Sequence, residues 1–223
     1  MIDNRHHPHL PTAPGENAPE AYFTLELQAD IYKRAAERMR HRVFVQELGW
    51  VGTNKACVET DDYDSTSNHF GVLRNQDVIG HMRLTRRPNP FMLEKEFLRL
   101  LPDGYRLEAG QEVAEISRLC IAAEFRSKRL VWENRRVFVS ELLYAFLWKW
   151  CQGSGVAVLY FVTTPSIARL LRLQGFPCRM INQPNKELGA VACRLAWREY
   201  AGNGRLAGNT LIHKPLSMAT AIA

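Results

Sequence analysis

The apolar run Val156-Ala157-Val158-Leu159-Tyr160-Phe161-Val162 decides the fold class of this 223-residue chain. An unbroken apolar run, with no alternating polar position, is typical of a strand that is covered on both faces. Apolar spacing predicts an amphipathic helix before the run, at about 133–152, which Gly153 and Gly155 end. Another helix is predicted after it, at about 166–173. This order of helix, strand and helix indicates an α/β domain.

The other predicted elements lie mainly upstream of this run. Residues 22–27 alternate as a strand does, and a helical stretch follows at about 30–48. Two strands at about 68–74 and 78–85 flank the turn Asn75-Gln76-Asp77 and predict a hairpin. The remaining predictions are a short helix at 93–101 that ends before Pro102, a strand at 112–121, and strands at 177–182 and 189–199. Together these elements predict a mixed sheet with helices on both faces.

Length and composition predict a single domain at residues 21–215. A chain of this length that is 46% apolar can bury a sizeable core and is not expected to be disordered. Residues 1–20, rich in proline and histidine, are predicted to be a mobile tail, and 216–223 a C-terminal tail. No apolar run approaches the roughly 18 residues of a membrane span, and no signal-peptide layout is present. A cytoplasmic location is therefore expected.

Charge and cysteine content narrow the possible partners. A formal charge of +6 allows nucleic acid, a membrane surface or an acidic protein as a partner. The basic residues are scattered among apolar ones and match no nucleic-acid motif, so nucleic-acid binding is not expected. The 5 cysteines are widely spaced and form no C-x-x-C pair, which predicts free thiols rather than disulfides or a zinc site.

Four short blocks carry most of the charged residues that could perform chemistry. They occur in a fixed order over about 80 residues, and their joint spacing is far more specific than any one block alone. The blocks are Arg40, Phe44 and Trp50; Glu59, Asp61 and Asp64; Gly80 and Arg83; and Glu115-Ile116-Ser117-Arg118. With these residues at these spacings, the chain resembles the acyl-homoserine lactone synthases, the autoinducer synthases of bacterial quorum sensing.

The resemblance implies a fold and a reaction. The fold is acetyltransferase-like (GNAT-like), a three-layer αβα sandwich whose mixed sheet splays open to admit an acyl-phosphopantetheine arm. In the reaction, the α-amine of S-adenosylmethionine attacks an acyl thioester. The carboxylate of the same molecule then closes the lactone and expels methylthioadenosine. Acyl carrier protein is the favoured donor and acyl-coenzyme A the alternative, and neither a metal nor any other cofactor is implied.

The resemblance also implies roles for the residues of the four blocks. Glu115 is the candidate base, with Ser117 and Arg118 beside it. The other block residues, Arg40, Phe44, Trp50, Glu59, Asp61, Asp64 and Arg83, are candidates for binding S-adenosylmethionine. Asp61 and Asp64 suit its cationic end, Arg40 and Arg118 suit its carboxylate, and Phe44 and Trp50 suit a cation over an aromatic face.

Structural alternatives stand beside each of these roles. Glu115 could instead be a structural carboxylate paired with Arg118 or Arg83, and the aromatic pair could be simple core. The charged residues could form a buried network that joins the N-terminal helix to the sheet, and this is compatible with binding. In a regular strand Glu115 and Ser117 point to one face and Arg118 to the other, so either the strand bulges or Arg118 acts from the opposite side.

Two further groups follow from the resemblance. Phe161 stands where relatives that make 3-oxo chains often carry threonine, which favours an unsubstituted acyl chain. The acyl-chain candidates are Phe146, Tyr160, Phe161, Thr163 and Thr164. The candidates for docking acyl carrier protein are basic and flank the central strand: Arg126, Lys128, Arg129, Arg169, Arg172 and Arg179.

A plain acetyltransferase that uses acetyl-coenzyme A is the rival interpretation. Such enzymes usually hold the pyrophosphate with bare backbone amides of a glycine-rich turn. The corresponding stretch here, residues 126–134, contains no glycine. This absence favours a donor arm without the nucleotide, and hence a carrier protein.

Overall fold

The computed structural model describes residues 22–75, 77–132 and 134–200. The described part contains three principal helices, α1 (Asp30–Arg40), α2 (Val139–Ser154) and α3 (Pro165–Leu173). Its strands are β1 (Tyr22–Glu26), β2 (Ser67–Arg74), β3 (Asp77–Arg86), β4 (Val113–Ile121), β5 (Arg129–Trp132), β6 (Arg135–Phe138), β7 (Val158–Thr163), β8 (Cys178–Met180) and β9 (Val191–Ala196). The predicted tails and residues 201–215 lie outside the described residues.

Seven strands form one mixed sheet in the order β1-β2-β3-β4-β7-β9-β8. Only β4 and β7 are parallel neighbours, and they pair over residues 113–116 alone, although β4 continues to Ile121. The sheet therefore opens between these two strands beyond Ile116. The predicted mixed, splayed sheet is confirmed, and the apolar run that begins at Val156 supplies its central strand β7.

The helices cover both faces of this sheet. On one face, α2 approaches Gly80 and Phe70, with the rings of Phe70 and Phe146 centred 5.4 Å apart. On the other face, two short 3₁₀ turns, Met92–Glu94 and Leu98–Leu100, pack over β4, β7 and β9, and the end of α1 meets β3. Within the described residues, no helix combines the length and the apolar character needed to cross a bilayer.

The predicted helix at 133–152 is wrong at its start. Residues 129–132 and 135–138 instead form the β5–β6 hairpin, and α2 begins only at Val139. Asn134 adopts a φ of +63°, which an asparagine tolerates at a turn better than most residues. The start of α2 is set by Glu141, whose carboxylate accepts a hydrogen bond of 2.7 Å from the backbone N–H of Phe138.

Two smaller boundaries also differ from the predictions. The short helix expected at 93–101 is two separate 3₁₀ turns, because Glu94 caps the first turn by accepting a hydrogen bond from the N–H of Phe91. The last strand ends at Ala196 rather than at 199. Its continuation, Trp197–Tyr200, turns helical so that the ring of Trp197 packs edge-on against Trp148, with centroids 4.6 Å apart.

Replacing Gly80 with alanine tests the close approach of α2 to β3. A Cβ atom at Gly80 would lie 2.5 Å from Cγ1 of Val139, so we expect the free energy of unfolding to fall by about 1–3 kcal/mol. The matched control is Gly153→Ala, where a Cβ would meet no atom within 4 Å and alanine favours the helix. Urea unfolding of both variants decides the point, and an unchanged stability of Gly80→Ala would contradict this packing.

Candidate active site

Three arginines and three carboxylates form a closed ring of ion pairs. The ring joins the end of α1 and the acidic segment, which we define as residues 59–64, to β3 and β4. Each arginine contacts two carboxylates, and each carboxylate contacts two arginines. In order around the ring, the members are Arg40, Glu59, Arg118, Asp61, Arg83 and Asp64.

Arg40 ties helix α1 to both ends of the acidic segment. Its Nε lies 2.5 Å from Oε2 of Glu59, and its Nη1 and Nη2 donate to the two carboxylate oxygens of Asp64 at 2.7 and 3.1 Å. This two-point contact uses the planar fork of a guanidinium, which lysine cannot reproduce. Burial alone would raise the pKa of Asp64, but the hydrogen bonds and the charge of Arg40 hold it well below its usual range.

The sheet supplies the other two arginines. Arg118 Nε donates to Glu59 Oε1 at 3.0 Å, and Arg118 Nη2 lies 2.7 Å from Asp61 Oδ2. Arg83 Nη1 donates to Asp61 Oδ1 and, at 2.7 Å, to Asp64 Oδ1. The buried ion-pair network expected as a structural alternative is therefore present, and it includes every charged residue of the first three blocks.

The ring has a buried half and an accessible half. The side chains of Arg40, Glu59 and Arg83 are at most 1% exposed, whereas those of Asp61, Asp64 and Arg118 are 15–19% exposed. Asp61 Oδ2 is itself buried and lies near Arg118 without the alignment of a hydrogen bond, so the acceptor capacity of this one oxygen is unused. The accessible half can therefore receive a charged ligand while the buried half stays paired.

A bulge in β4 turns Arg118 toward the ring. Arg83 pairs with Ser117 and His81 with Cys120, so two residues of β4 stand opposite the single residue Met82 of β3. Arg118 adopts a φ of +51°, a sparsely populated conformation for this residue type. Of the two arrangements that strand periodicity allowed, the bulge is the one found. Ser117 stays on the same side and accepts a hydrogen bond of 2.9 Å from Arg83 Nε.

Glu115 is buried beside the ring but is bound to backbone amides. Its carboxylate accepts hydrogen bonds from the N–H groups of Met92 and Leu93, at 2.7 and 2.8 Å. The alternative in which Glu115 pairs directly with Arg118 or Arg83 is not found. Burial raises the pKa of Glu115 to about 7, despite these two amide hydrogen bonds. The carboxyl group thus changes protonation near neutral pH, as suits a general base.

Met92 and Tyr63 are members of the site that the sequence did not predict. The sulfur of Met92 lies 3.1 Å from Arg83 Nη2 and 3.6 Å from Arg118 Nη1, so this residue links Glu115 to the ring. The Tyr63 ring lies under the Arg83 guanidinium, 5.5 Å from its centre, and the Tyr63 hydroxyl donates to Glu96 at 2.6 Å. Methionine and tyrosine are ordinary core residues, and neither position carried a signal in the sequence.

Phe44 and Trp50 lead from the ring to the surface. Their rings are stacked with centroids 6.1 Å apart, and the Arg118 guanidinium lies 5.8 Å from the centre of Phe44. Phe44 is buried on the π-helical segment His41–Glu47, whereas Trp50 is 66% exposed. The interpretation of this pair as simple core fits Phe44 but not Trp50.

The acyl-chain candidates are divided between the two faces of the sheet. Tyr160 stands opposite Glu115 in the β4–β7 register, whereas Phe161 and Phe146 belong to the core cluster on the α2 face. Thr163 is half-buried at the end of β7, and Thr164 caps α3 by accepting from the N–H of Ile167 at 3.3 Å. These five residues are therefore not brought together around one pocket.

The docking candidates are divided between two edges of the sheet. The chain segment 126–129 and the start of α3 follow the carboxyl ends of the parallel strands β4 and β7. Arg172, at the end of α3, and Arg179, on β8, lie toward the opposite edge, because Cys178 of β8 stands level with Leu159 near the start of β7. Arg126 pairs with Glu47 at 2.5 Å and Arg179 with Glu199 at 2.7 Å. The remaining candidates, Lys128, Arg129, Arg169 and Arg172, are exposed. An open cavity of about 1240 Å³ at the end of α3 is lined partly by Arg172 and Arg179.

Removing one charge from the ring should unbalance the rest of it. We expect Asp64→Asn to lower the free energy of unfolding by about 3–5 kcal/mol at pH 7, because Arg40 and Arg83 lose a shared partner. The contribution of Asp64 is present above the unfolded pKa of about 3.9 and is lost as pH falls toward its lowered folded pKa. Urea unfolding as a function of pH measures both effects.

The matched control for this variant is Glu37→Gln, which removes one partner of the ion pair between Arg34 and Glu37. Arg34 is 63% exposed in that pair, so the loss should be at most about 1 kcal/mol. Equal losses in Asp64→Asn and Glu37→Gln would show that the ring is no more than a surface network.

A family model and known proteins of similar sequence indicate one family. A family model described as "Autoinducer synthase" matches residues 23–199. The acyl-homoserine-lactone synthase of Rhizobium radiobacter is 28% identical over 156 residues, which is 69% of this chain and 72% of the relative. That of Aeromonas hydrophila is 27% identical over 168 residues, or 74% and 77% of the two chains.

Solved structures show the same fold. The AHL synthase LasI superposes with a TM-score of 0.67 at 19% identity, over 80% of this chain and 91% of LasI. The CoA-dependent acyl-homoserine lactone synthase BjaI, solved with SAM and isopentyl-CoA, gives a TM-score of 0.70 at 20% identity, over 88% and 91%. Because the family model covers nearly all of the described residues, the chain belongs to the autoinducer synthase family.

Proposed function

We propose that this chain makes an N-acyl-homoserine lactone from S-adenosylmethionine and an acyl thioester. As a member of its family the chain is an acyltransferase, an acyl-homoserine-lactone synthase. The observation that carries the proposal is the arginine–carboxylate ring, which presents two acidic side chains and one arginine to solvent beside an exposed tryptophan. S-adenosylmethionine carries a sulfonium, an ammonium and a carboxylate, so it needs partners of both signs.

The accessible half of the ring supplies these partners. The carboxylates of Asp61 and Asp64, whose side chains are 19% and 18% exposed, suit the ammonium group. The substrate carboxylate suits Arg118, whose guanidinium forks between Glu59 and Asp61 and can rearrange toward a third anion. The stacked rings of Phe44 and Trp50 offer an aromatic face to the sulfonium end. Arg40 and Arg83 then act from behind, holding the carboxylates in place.

Glu115 is proposed as the general base, directly or through one water. The ammonium of S-adenosylmethionine passes a proton to Glu115, and the free amine attacks the thioester carbon and displaces the carrier thiol. The substrate carboxylate then attacks its own γ-carbon, and the sulfur leaves with the bonding electron pair as methylthioadenosine. The two amide hydrogen bonds from Met92 and Leu93 fix the Glu115 carboxylate on a strand, which makes its position rigid.

The opening of the sheet suits the acyl-phosphopantetheine arm. Residues 117–121 of β4 have no partner in β7, so along this stretch backbone groups of β4 face the opening. Such groups can bind an extended arm as a neighbouring strand would, and an aimed N–H can stabilise charge that develops on the thioester oxygen. No metal or other cofactor is proposed, and the cytoplasmic location expected from the sequence is retained.

Acyl carrier protein is the proposed donor. Where an acetyltransferase has a glycine-rich turn that leads into a helix, residues 129–132 and 135–138 here form a hairpin, and α2 begins directly after it. The hairpin therefore stands in place of the bare backbone amides with which such a turn holds a pyrophosphate. The exposed basic residues that follow β4 and β7, among them Lys128, Arg129 and Arg169, suit an acidic carrier. Acyl-coenzyme A is the second candidate, because the relative BjaI is CoA-dependent.

Product analysis tests the proposed function. Purified protein with S-adenosylmethionine and acyl carrier protein loaded with an unsubstituted acyl chain should release methylthioadenosine and an N-acyl-homoserine lactone. With acyl-coenzyme A as donor, kcat/KM should be lower, and added salt should raise KM for the carrier protein because salt screens surface charges. Mass spectrometry identifies the products. Release of coenzyme A from acetyl-coenzyme A with another amine acceptor, and no lactone, would refute the proposal.

Glu115→Gln tests the assigned base. We expect kcat to fall by a factor of about 100 or more, while S-adenosylmethionine binding stays within a few-fold of the parent. In the parent, kcat should rise with pH through about 7 as Glu115 ionises. Because the folded pKa is raised, the stability that Glu115 contributes is full below about 4.5 and is lost as pH rises through about 7. The variant should lose this pH dependence of stability.

The control for Glu115→Gln is Glu94→Gln. Glu94 caps the same 3₁₀ turn from the other side, where it accepts from Phe91 and pairs with Arg87. We therefore expect a similar or larger loss of stability in the control with nearly unchanged kcat. If Glu115→Gln kept normal turnover and only lost stability, Glu115 would be structural and the base would lie elsewhere.

A further inference from the structure

Two buried histidines lie beneath the ring of ion pairs and have no part in the mechanism described so far. His69 on β2 is 8% exposed, and His81 on the neighbouring strand β3 is completely buried. Their rings are centred 5.4 Å apart at an interplanar angle of 33°. Polar rings are rarely buried to this extent unless each nitrogen has a partner, so the partners of this pair indicate its purpose.

The two imidazoles contact each other, and each one also contacts a backbone carbonyl of a residue in the ion-pair ring. His69 Nδ1 lies 3.1 Å from His81 Nε2. At the outer ends, His69 Nε2 lies 3.0 Å from the carbonyl oxygen of Asp64, and His81 Nδ1 lies 3.0 Å from that of Arg118. The pair therefore bridges the acidic segment and the β4 bulge across β2 and β3. It also holds the carbonyl of Arg118, the residue whose backbone is strained.

Three contacts of this kind require three protons. The two carbonyl oxygens can only accept, so each outer nitrogen must donate, and the contact between the rings needs one more N–H. Two neutral imidazoles carry only two protons on their nitrogens. In the neutral pair, one of the three contacts must therefore set lone pair against lone pair. One extra proton completes all three hydrogen bonds, whereas a second would set N–H against N–H between the rings.

We propose that His69 and His81 are positioning residues of the substrate site, and that a single shared proton decides whether their bridge between Asp64 and Arg118 is complete. The inference rests on the proposed function only for its effect on substrate. The bridge itself is a property of the free protein.

The surroundings decide when the extra proton enters. The groups that face the pair are Asp64, Arg40 at the end of α1, Arg83 on β3 and the Cys120 thiol on β4 opposite His81. Burial, reinforced by the charges of the arginines, lowers the pKa of both histidines below the ordinary value of 6.5. Burial also raises the pKa of Cys120 to about 12, so this thiol does not titrate in the same range. The pair is neutral at pH 7 and takes up its proton on acidification.

Proton uptake affects the substrate site in a predictable direction. The extra proton completes the bridge, but it also adds one positive charge beneath a ring whose own charges balance. We expect this charge to outweigh the completed hydrogen bond, because the substrate is a cation at its sulfonium end. KM for S-adenosylmethionine should therefore rise as pH falls below about 6.5, separately from the effect of Glu115 on kcat. A purely structural pair would change stability with pH but would leave this KM unchanged.

Nitrogen NMR of the free protein tests the bridge without any substrate. With ¹⁵N-labelled histidine, both rings should shift together in one step below pH of about 6.5, and the pair should take up one proton. Two independent steps near the ordinary histidine pKa, or no change before the protein unfolds in acid, would overturn the proposal. Because the protein needs no substrate here, this result is independent of the proposed function.

Substitutions test the positioning role. His81→Asn can still donate to the Arg118 carbonyl, and His69→Gln can still donate to the Asp64 carbonyl, but neither replacement titrates. The double variant should bind S-adenosylmethionine within a few-fold of the parent at pH 7 and should lose the rise of KM in acid. His81→Phe removes the bridge and should raise both Kd and KM about ten-fold or more. Calorimetric titration measures Kd even if no lactone forms.

The matched control is Ser67→Ala on the same strand and face as His69. It removes the hydrogen bond of 2.7 Å between Ser67 and Thr85 but leaves the bridge in place. We expect the pH dependence of KM in this variant to equal that of the parent. If His81→Phe bound S-adenosylmethionine as the parent does, or if the double variant kept the acid rise in KM, the pair would have no positioning role.

Discussion

The closed ring of three arginines and three carboxylates is the constraint on which the rest of this structure depends. No member can be ionised alone at low cost, because Arg40, Glu59 and Arg83 have almost no contact with water. Their charges are tolerable only when the acidic segment, α1 and the two strands β3 and β4 are all in place. The proposed position of the substrate follows from the same requirement, since within the ring only the half formed by Asp61, Asp64 and Arg118 reaches solvent.

Several groups at the ring of ion pairs are in conformations or environments that lower the stability of the folded protein. Arg118 has a strained backbone, Asp61 has an oxygen without an aligned donor, and Glu115 has a pKa near 7 in a buried place. Each of these features costs stability in the free protein, and the proposed function gives each one a role in binding or activating a charged substrate. The paired histidines His69 and His81 fit the same pattern, because their neutral form leaves one hydrogen bond unmade.

The sequence predicted the parts that repeat a periodic pattern. The central strand that begins at Val156, the β2–β3 hairpin and the mixed sheet all follow from apolar spacing, and the family follows from the four blocks. Turns and hydrogen bonds that depend on single residues, and not on a repeating pattern, were not predicted. The β5–β6 hairpin depends on the turn at Asn134, and the partners of Glu115 are amides from a 3₁₀ turn that the sequence predicts as an ordinary helix. The bulge at Arg118 was one of two open alternatives. Spacing shows that Arg118 and Glu115 would point to opposite faces of a regular strand, but it does not show whether the strand bulges.

A double-mutant cycle between Arg40 and Asp61 tests most directly whether the ring is one unit. These two residues are on opposite sides of the ring, and each forms its ion pairs with other members rather than with the other. The cycle uses Arg40→Gln, Asp61→Asn and the double variant, with the free energy of unfolding measured in urea. If the ring is one unit, removing one cation and one anion together should cost at least about 0.5 kcal/mol less than the sum of the single losses. If the two single losses of free energy simply add, the ring is not one unit but a set of independent ion pairs.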